Sequence, residues 1–130
     1  EIGPKDMEKG QCCICRRDSG EKVFVPLAEL EDTVKRLLDE VHVGLYNRAK
    51  KNLEDHTRVC FTLEEVKEFM ETEGGFAKTM WCGGLDCELQ MKEKAGVTSR
   101  CMPLEQEHVA DVCVCCGKPA KHSILWGVAY

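Results

Sequence analysis

No stretch of this 130-residue chain comes near the ~18 consecutive apolar residues that a membrane-spanning helix needs. The first residues also lack the basic, apolar and small-residue succession of a secretory signal. With 32 % of residues charged, these absences lead us to expect a soluble, cytoplasmic chain with no membrane partner. An excess of positive charge is missing as well: 18 Lys and Arg stand against 23 Asp and Glu, for a formal net charge of −5. The chain as a whole therefore does not attract phosphate, and any nucleic-acid contact has to come from a local patch. Histidine is scarce. His42, His56, His108 and His122 stand at no motif-like spacing from Ser or Cys, so a nucleophile and base pair has no support. Internal repeats and low-complexity linkers are absent, as is an initiator Met, which favours a fragment of something larger. The length suits one modest core, burying roughly two thirds of the unfolded surface.

Cysteine, by contrast, is abundant, with ten in the chain. Two explanations compete: disulfides in a secreted scaffold, or reduced thiols around a metal in an intracellular protein. The missing signal favours the second. Cys82-Gly-Gly-Leu-Asp-Cys87 and Cys113-Val-Cys-Cys116-Gly-Lys-Pro are two close pairs separated by 25 residues, and their glycines let backbone amides turn toward sulfur. Cys82, Cys87, Cys113 and Cys116 thus have the spacing of a zinc site. An all-sulfur tetrahedron is closed, with no position for water or substrate, so its role is structural. Cys12, Cys13, Cys15, Cys60 and Cys101 read as small core or surface residues.

The hydrophobic pattern gives an α+β chain. Ile2 to Asp6 reads as a turn, and Gln11 to Val25 as a hairpin turning at Asp18-Ser-Gly20, with Cys13 and Cys15 on one face and Cys12 and Ile14 on the other. After Pro26 the period changes. Leu30, Val34, Leu37, Val41, Leu45, Ala49 and Leu53 mark a long amphipathic helix to about His56. Thr62-Leu-Glu-Glu65 is a capping-box pattern opening a second helix that Gly74-Gly75 ends. A strand over Phe76 to Trp81, a helix over Leu85 to Lys94 stopped by Gly96, a strand over Val97 to Pro103 and an apolar strand from His122 to Tyr130 complete the reading. The expected architecture is a small zinc-stabilised domain, residues 27-130, with the long helix packed on a short antiparallel sheet and a hairpin of residues 1-26 before it. A lone hairpin is marginal in water, so the first piece reads as cut from a larger sheet.

Three segments in order carry a family resemblance: Glu1-Ile-Gly-Pro-Lys-Asp-Met-Glu8 with Arg16-Arg-Asp-Ser-Gly-Glu-Lys22, Trp81-Cys-Gly-Gly-Leu-Asp-Cys-Glu88, and Cys116-Gly-Lys-Pro-Ala-Lys121 with Gly127-Val-Ala-Tyr130. Together they resemble the C-terminal end of prolyl-tRNA synthetases of the archaeal and eukaryotic type. The resemblance implies that residues 1-26 are the closing strands of an α/β anticodon-binding domain and that residues 27-130 are the C-terminal zinc-binding domain. It implies a parent ligase that charges tRNA-Pro with proline, using ATP and Mg²⁺ in a class II catalytic domain that this chain lacks. The chain alone is then not catalytic. Its partners would be tRNA-Pro and its own catalytic domain, in a homodimeric enzyme.

Carried over residue by residue, the zinc ligands fall on Cys82, Cys87, Cys113 and Cys116. Cys115 adds a third thiol to the second knuckle and competes with Cys116; Gly117-Lys118 after Cys116 favours the latter. The family's anticodon-facing segment falls on Lys5, Asp6 and Glu8, where Lys5 would meet phosphate or base and the acids would accept from guanine. Against this stands an ordinary solvated turn. Arg16 is a further tRNA candidate beside Arg17, and only one of two adjacent strand residues can face the RNA. Tyr130, by resemblance, turns its carboxylate toward the catalytic domain and orders the active site. Lys118, Lys121 and Arg100 read as a solvated face, because acids interleave with them in sequence. A free-standing zinc-stabilised module binding tRNA or protein is the alternative from another class.

Overall fold

The computed structural model describes residues 1–129, and the chain divides into two units, Glu1–Lys51 and the stretch from Asn52 onward. Pro26, where the sequence pattern changes, lies inside the first unit.

The first unit begins with a short helix, α1 (Pro4–Glu8), where the sequence suggested only a turn. Pro4 supplies a helical φ in the first turn, and the Asp6 carboxylate accepts from the Gly3 amide at 3.0 Å. Strands β1 (Gln11–Cys15) and β2 (Lys22–Pro26) form the expected antiparallel hairpin, pairing Cys12 with Val25 and Cys13 with Phe24. Cys12 and Cys13 are both buried. Successive strand residues point to opposite faces, so β1 is covered on both. A 3₁₀ turn (Leu27–Glu29) leads into α2 (Leu30–Asp55), which continues past the end of the unit.

Helix α2 occupies the predicted span, but its burial departs from the expectation. Leu37 is its one buried residue, whereas Leu45 and Leu53 are about half exposed, at 49 % and 50 %. The apolar repeat made the helix legible without saying what covers it.

The second unit holds β3 (Thr57–Val59), α3 (Leu63–Thr72), β4 (Phe76–Trp81), α4 (Leu85–Ala95), β5 (Val97–Cys101) and β6 (His122–Val128). Its sheet runs β3-β4-β6-β5, with β3 parallel to β4 and the other pairs antiparallel, so it is mixed rather than antiparallel. The cluster beneath it takes its helical side chains from α3 and α4. Val66 and Phe69 come from α3 and Met91 from α4; they meet Ala77, Val97, Ile124 and Trp126 of the strands. Each of the larger side chains contributes about 1.5–3 kcal/mol by leaving water.

Local chemistry accounts for the element ends. Thr62 Oγ1 accepts from the Glu65 amide at 3.1 Å, and the Glu65 carboxylate accepts from the Phe61 amide at 2.7 Å, a capping box reaching one residue further back. Gly75, at φ +120°, passes so close to β3 that a Cβ would lie 2.3 Å from the His56 carbonyl oxygen. That approach lets the Phe76 amide donate to the same carbonyl at 2.8 Å and start β4. Between β4 and β6, the Trp126 indole N–H donates to Thr79 Oγ1 at 2.9 Å, both residues being fully buried.

Candidate metal centre

Two loops of the second unit bring four sulfurs together. The first knuckle leaves β4 at Trp81, turns through Gly83 at φ +85°, and enters α4, whose first turn carries Cys87. The Trp81 indole N–H donates to the Gly84 carbonyl at 3.2 Å and clamps the loop. The second knuckle is a tight hairpin: the Cys113 amide donates to the Lys118 carbonyl at 2.8 Å, and the Gly117 amide to the Cys113 carbonyl at 3.0 Å. Gly117 sits at φ +69°, a backbone that other residues enter at a cost. This hairpin hangs on β4, because the Val114 amide donates to the Met80 carbonyl at 3.0 Å and the Lys121 amide to the Trp81 carbonyl at 2.8 Å.

The Sγ atoms of Cys82, Cys87, Cys113 and Cys116 all lie within 4.8 Å of one another. Cys82 and Cys87 are 3.6 Å apart and Cys116 and Cys82 3.8 Å. A metal with sulfur bonds of about 2.3 Å sets tetrahedral edges of about 3.8 Å, so the cage fits such an ion. Cys87 and Cys113 are buried and Cys116 is exposed. Cys115, the competing thiol, packs against the core cluster.

The thiols differ electrostatically. Burial pushes Cys113 up, but the backbone N–H groups of Cys116, Cys115 and Cys82 stabilise its thiolate and bring it down to about 7. Cys87 moves strongly the other way, chiefly through burial and then through its hydrogen bonds with Cys116 and Cys82. One easily ionised thiol, Cys113, beside one that resists ionisation, Cys87, is an arrangement a divalent cation resolves, since it stabilises both thiolates at once. Four sulfurs fill a tetrahedron, leaving no position for a reacting water.

The other sequence candidates lie in the first unit. Lys5, Asp6 and Glu8 all stand on α1. Lys5 and Glu8 are exposed, while Asp6 is occupied within the fold: beyond the Gly3 amide, it accepts from Gln11 Nε2 at 3.2 Å. These bonds, the Gly3 amide first, hold its carboxyl below the usual range. Arg16 is likewise occupied. Its Nε and Nη2 donate to the Asp18 carboxylate at 3.1 and 2.9 Å and its Nη1 to Glu40 at 2.9 Å, so a phosphate would have to displace a carboxylate. Tyr130 lies outside the described residues.

Sequence reasoning missed the supports of the centre. Trp81, directly before Cys82, was the available signal for the indole clamp; the Met80 and Trp81 carbonyls that anchor the second knuckle carry no side-chain signal. Among the described residues no helix is long and apolar enough to cross a membrane.

Comparison with known proteins gives one answer. A family profile described as "Prolyl-tRNA synthetase, C-terminal" matches residues 63–130. Among curated relatives, Proline--tRNA ligase 2 of Bacillus cereus and Proline--tRNA ligase of Clostridium novyi are each 51 % identical over 130 residues. Proline--tRNA ligase of Oceanobacillus iheyensis is 53 % identical over the same length. In each case the match covers 100 % of this chain and 27 % of the relative, so the chain spans about a quarter of the length of these proteins.

Proposed function

The chain belongs to the prolyl-tRNA synthetase C-terminal family, and from that premise we propose that it serves as the C-terminal part of an enzyme that charges tRNA-Pro with proline at the expense of ATP. The observation that carries this reading is identity of about half over the whole chain, together with a metal cage in the region the family profile covers. Proline activation, with ATP and Mg²⁺, belongs to a catalytic domain elsewhere in the parent protein, which acts as a homodimer.

In this reading the second unit is a rigid support built around structural zinc. Cys82, Cys87, Cys113 and Cys116 hold the ion, which supplies folding free energy and no reaction step. Residues 1-26 close the sheet of an anticodon-binding domain, and residues 27-130 form the zinc-binding domain. The exposure of Phe24 on β2, at 64 %, supports the first assignment, since such a side chain suits a strand that belongs to a larger sheet. Lys5 is the strongest anticodon candidate, being exposed and free of ion pairs among the described residues. Tyr130 orders the catalytic site through its carboxylate.

The test is aminoacylation by the full-length protein with purified tRNA-Pro, ATP and each amino acid in turn. Proline alone should become attached, and truncation before Asn52 should lower the rate. Attachment of another amino acid, or of none, would refute the reading.

A further inference from the structure

Beside the first knuckle runs a groove of about 470 Å³ bordered by Cys82, Gly83, Gly84, Lys118, Pro119 and Lys121. We propose that this groove contacts the phosphodiester backbone of tRNA, with Lys118 and Lys121 as its two cations; the inference rests on the reading of the chain as part of a prolyl-tRNA synthetase.

Two lysines and no carboxylate border the groove, beside the sulfur of Cys82. Elsewhere in the second unit Arg58 pairs with Glu73, Lys67 with Glu71 and Lys78 with Glu107, and Lys94 donates to the neutral Gln90. Lys118 and Lys121 make no such pair among the described residues. Their side chains are unpartnered, yet their backbones are fixed: the Lys118 carbonyl accepts from Cys113 and the Lys121 amide donates to Trp81, both at 2.8 Å. The knuckle therefore holds both lysines at the border of one groove. Gly83 and Gly84 also border the groove and add no side chain to it. Arg100, which sequence grouped with these lysines, borders a different cleft with Glu88 and Ser99, so it is not part of this groove.

The chemistry suits a phosphate strand. The groove lies at the surface, and lysine meets phosphate as a point charge without demanding bidentate geometry. Contacts of this kind fix the register of an RNA and read no sequence. In a chain of net charge −5, a carboxylate-free pair is the local patch such contact requires.

The experiment uses the full-length enzyme, wild type against Lys118→Gln/Lys121→Gln and the charge-preserving Lys118→Arg/Lys121→Arg. Binding of a tRNA-Pro transcript is measured by filter retention across a salt series, with metal content and proline-dependent ATP–pyrophosphate exchange recorded alongside. Each phosphate contact adds about 0.7–0.9 to the slope of log affinity against log salt. The double Gln variant should lose about 1.4–1.8 of slope and bind roughly 10- to 30-fold more weakly at 0.15 M salt, with exchange and metal unchanged and the Arg variant near wild type. An unchanged slope in a variant that exchanges normally would overturn the proposal, as would loss of metal with tRNA binding intact, which would assign the lysines to the thiolate centre. Sensitivity of the wild type to inorganic phosphate at constant ionic strength, equal in the Gln variant, would also overturn it. Failure of the wild type to exchange or to bind tRNA would instead refute the parent reading.

Discussion

Replacing Trp126 by Phe should weaken the second unit and its metal site together. Trp126 and Thr79 are each 0 % exposed, and the indole N–H to hydroxyl bond of 2.9 Å is a buried side-chain link between β4 and β6 beside their backbone ladder. These strands carry the metal loops, since Cys82 follows β4 and the second knuckle leads into β6. In Trp126→Phe the Thr79 hydroxyl keeps its burial and loses this partner, costing about 1–3 kcal/mol. The smaller ring leaves a void of roughly 40 Å³, which adds about 1 kcal/mol. The sum, about 2–4 kcal/mol, is a large share of a typical domain's 5–15 kcal/mol. Thr79→Val leaves the indole N–H unpaired instead and should cost about 1–3 kcal/mol. The double variant removes both polar groups and should be less destabilised than the summed singles by at least about 1 kcal/mol. Urea unfolding of the four proteins measures this coupling. Because metal binding is linked to folding, chelator competition should rank them in the same order. Additive single effects would refute the argument that the bond latches the two strands.

Three further outcomes follow from local geometry. Gly75→Ala should lower the Tm, because a Cβ at φ +120° meets the His56 carbonyl oxygen at 2.3 Å; an unchanged melting curve would show that this close approach is not required. Thr62→Ala removes the cap accepting from Glu65 and should cost about 0.5–2 kcal/mol in urea unfolding, with Thr62→Ser recovering most of it. Asp18, held below its ordinary value of 3.8 chiefly by its hydrogen bond from Arg16, contributes stability that is present above the unfolded pKa and lost as pH falls through the lower folded one. An NMR titration should place the Asp18 midpoint below 3.8 and show it rising in Arg16→Gln; a midpoint indifferent to Arg16 would contradict the cause.

Much of the second unit was legible because its signals are local. The Thr62 cap, the Gly74-Gly75 break and the left-handed Gly96 at the end of α4 act within a few residues of where they stand. Strand β3 escaped because three residues carry no period, and its existence depends on the parallel partner β4. The apolar stripe of α2 was read correctly as a helix, but periodicity states which face is apolar and not what meets it. The cysteine spacing pointed to a four-sulfur cage, but the choice between Cys115 and Cys116 depends on how the hairpin aims adjacent side chains. Cys116 Sγ lies 3.8 Å from Cys82 Sγ while Cys115 turns to the core. The lysine groove was hidden for a related reason: acids adjacent in sequence need not be adjacent in space.

Metal content decides the central claim. Inductively coupled plasma mass spectrometry should be run on the chain purified without chelator, as wild type, Cys82→Ser, Cys115→Ser and Cys116→Ser. The account predicts one zinc per chain in the wild type and in Cys115→Ser, and loss in Cys82→Ser and Cys116→Ser. A folded wild type without metal, or one that keeps its zinc in Cys116→Ser and loses it in Cys115→Ser, would contradict it.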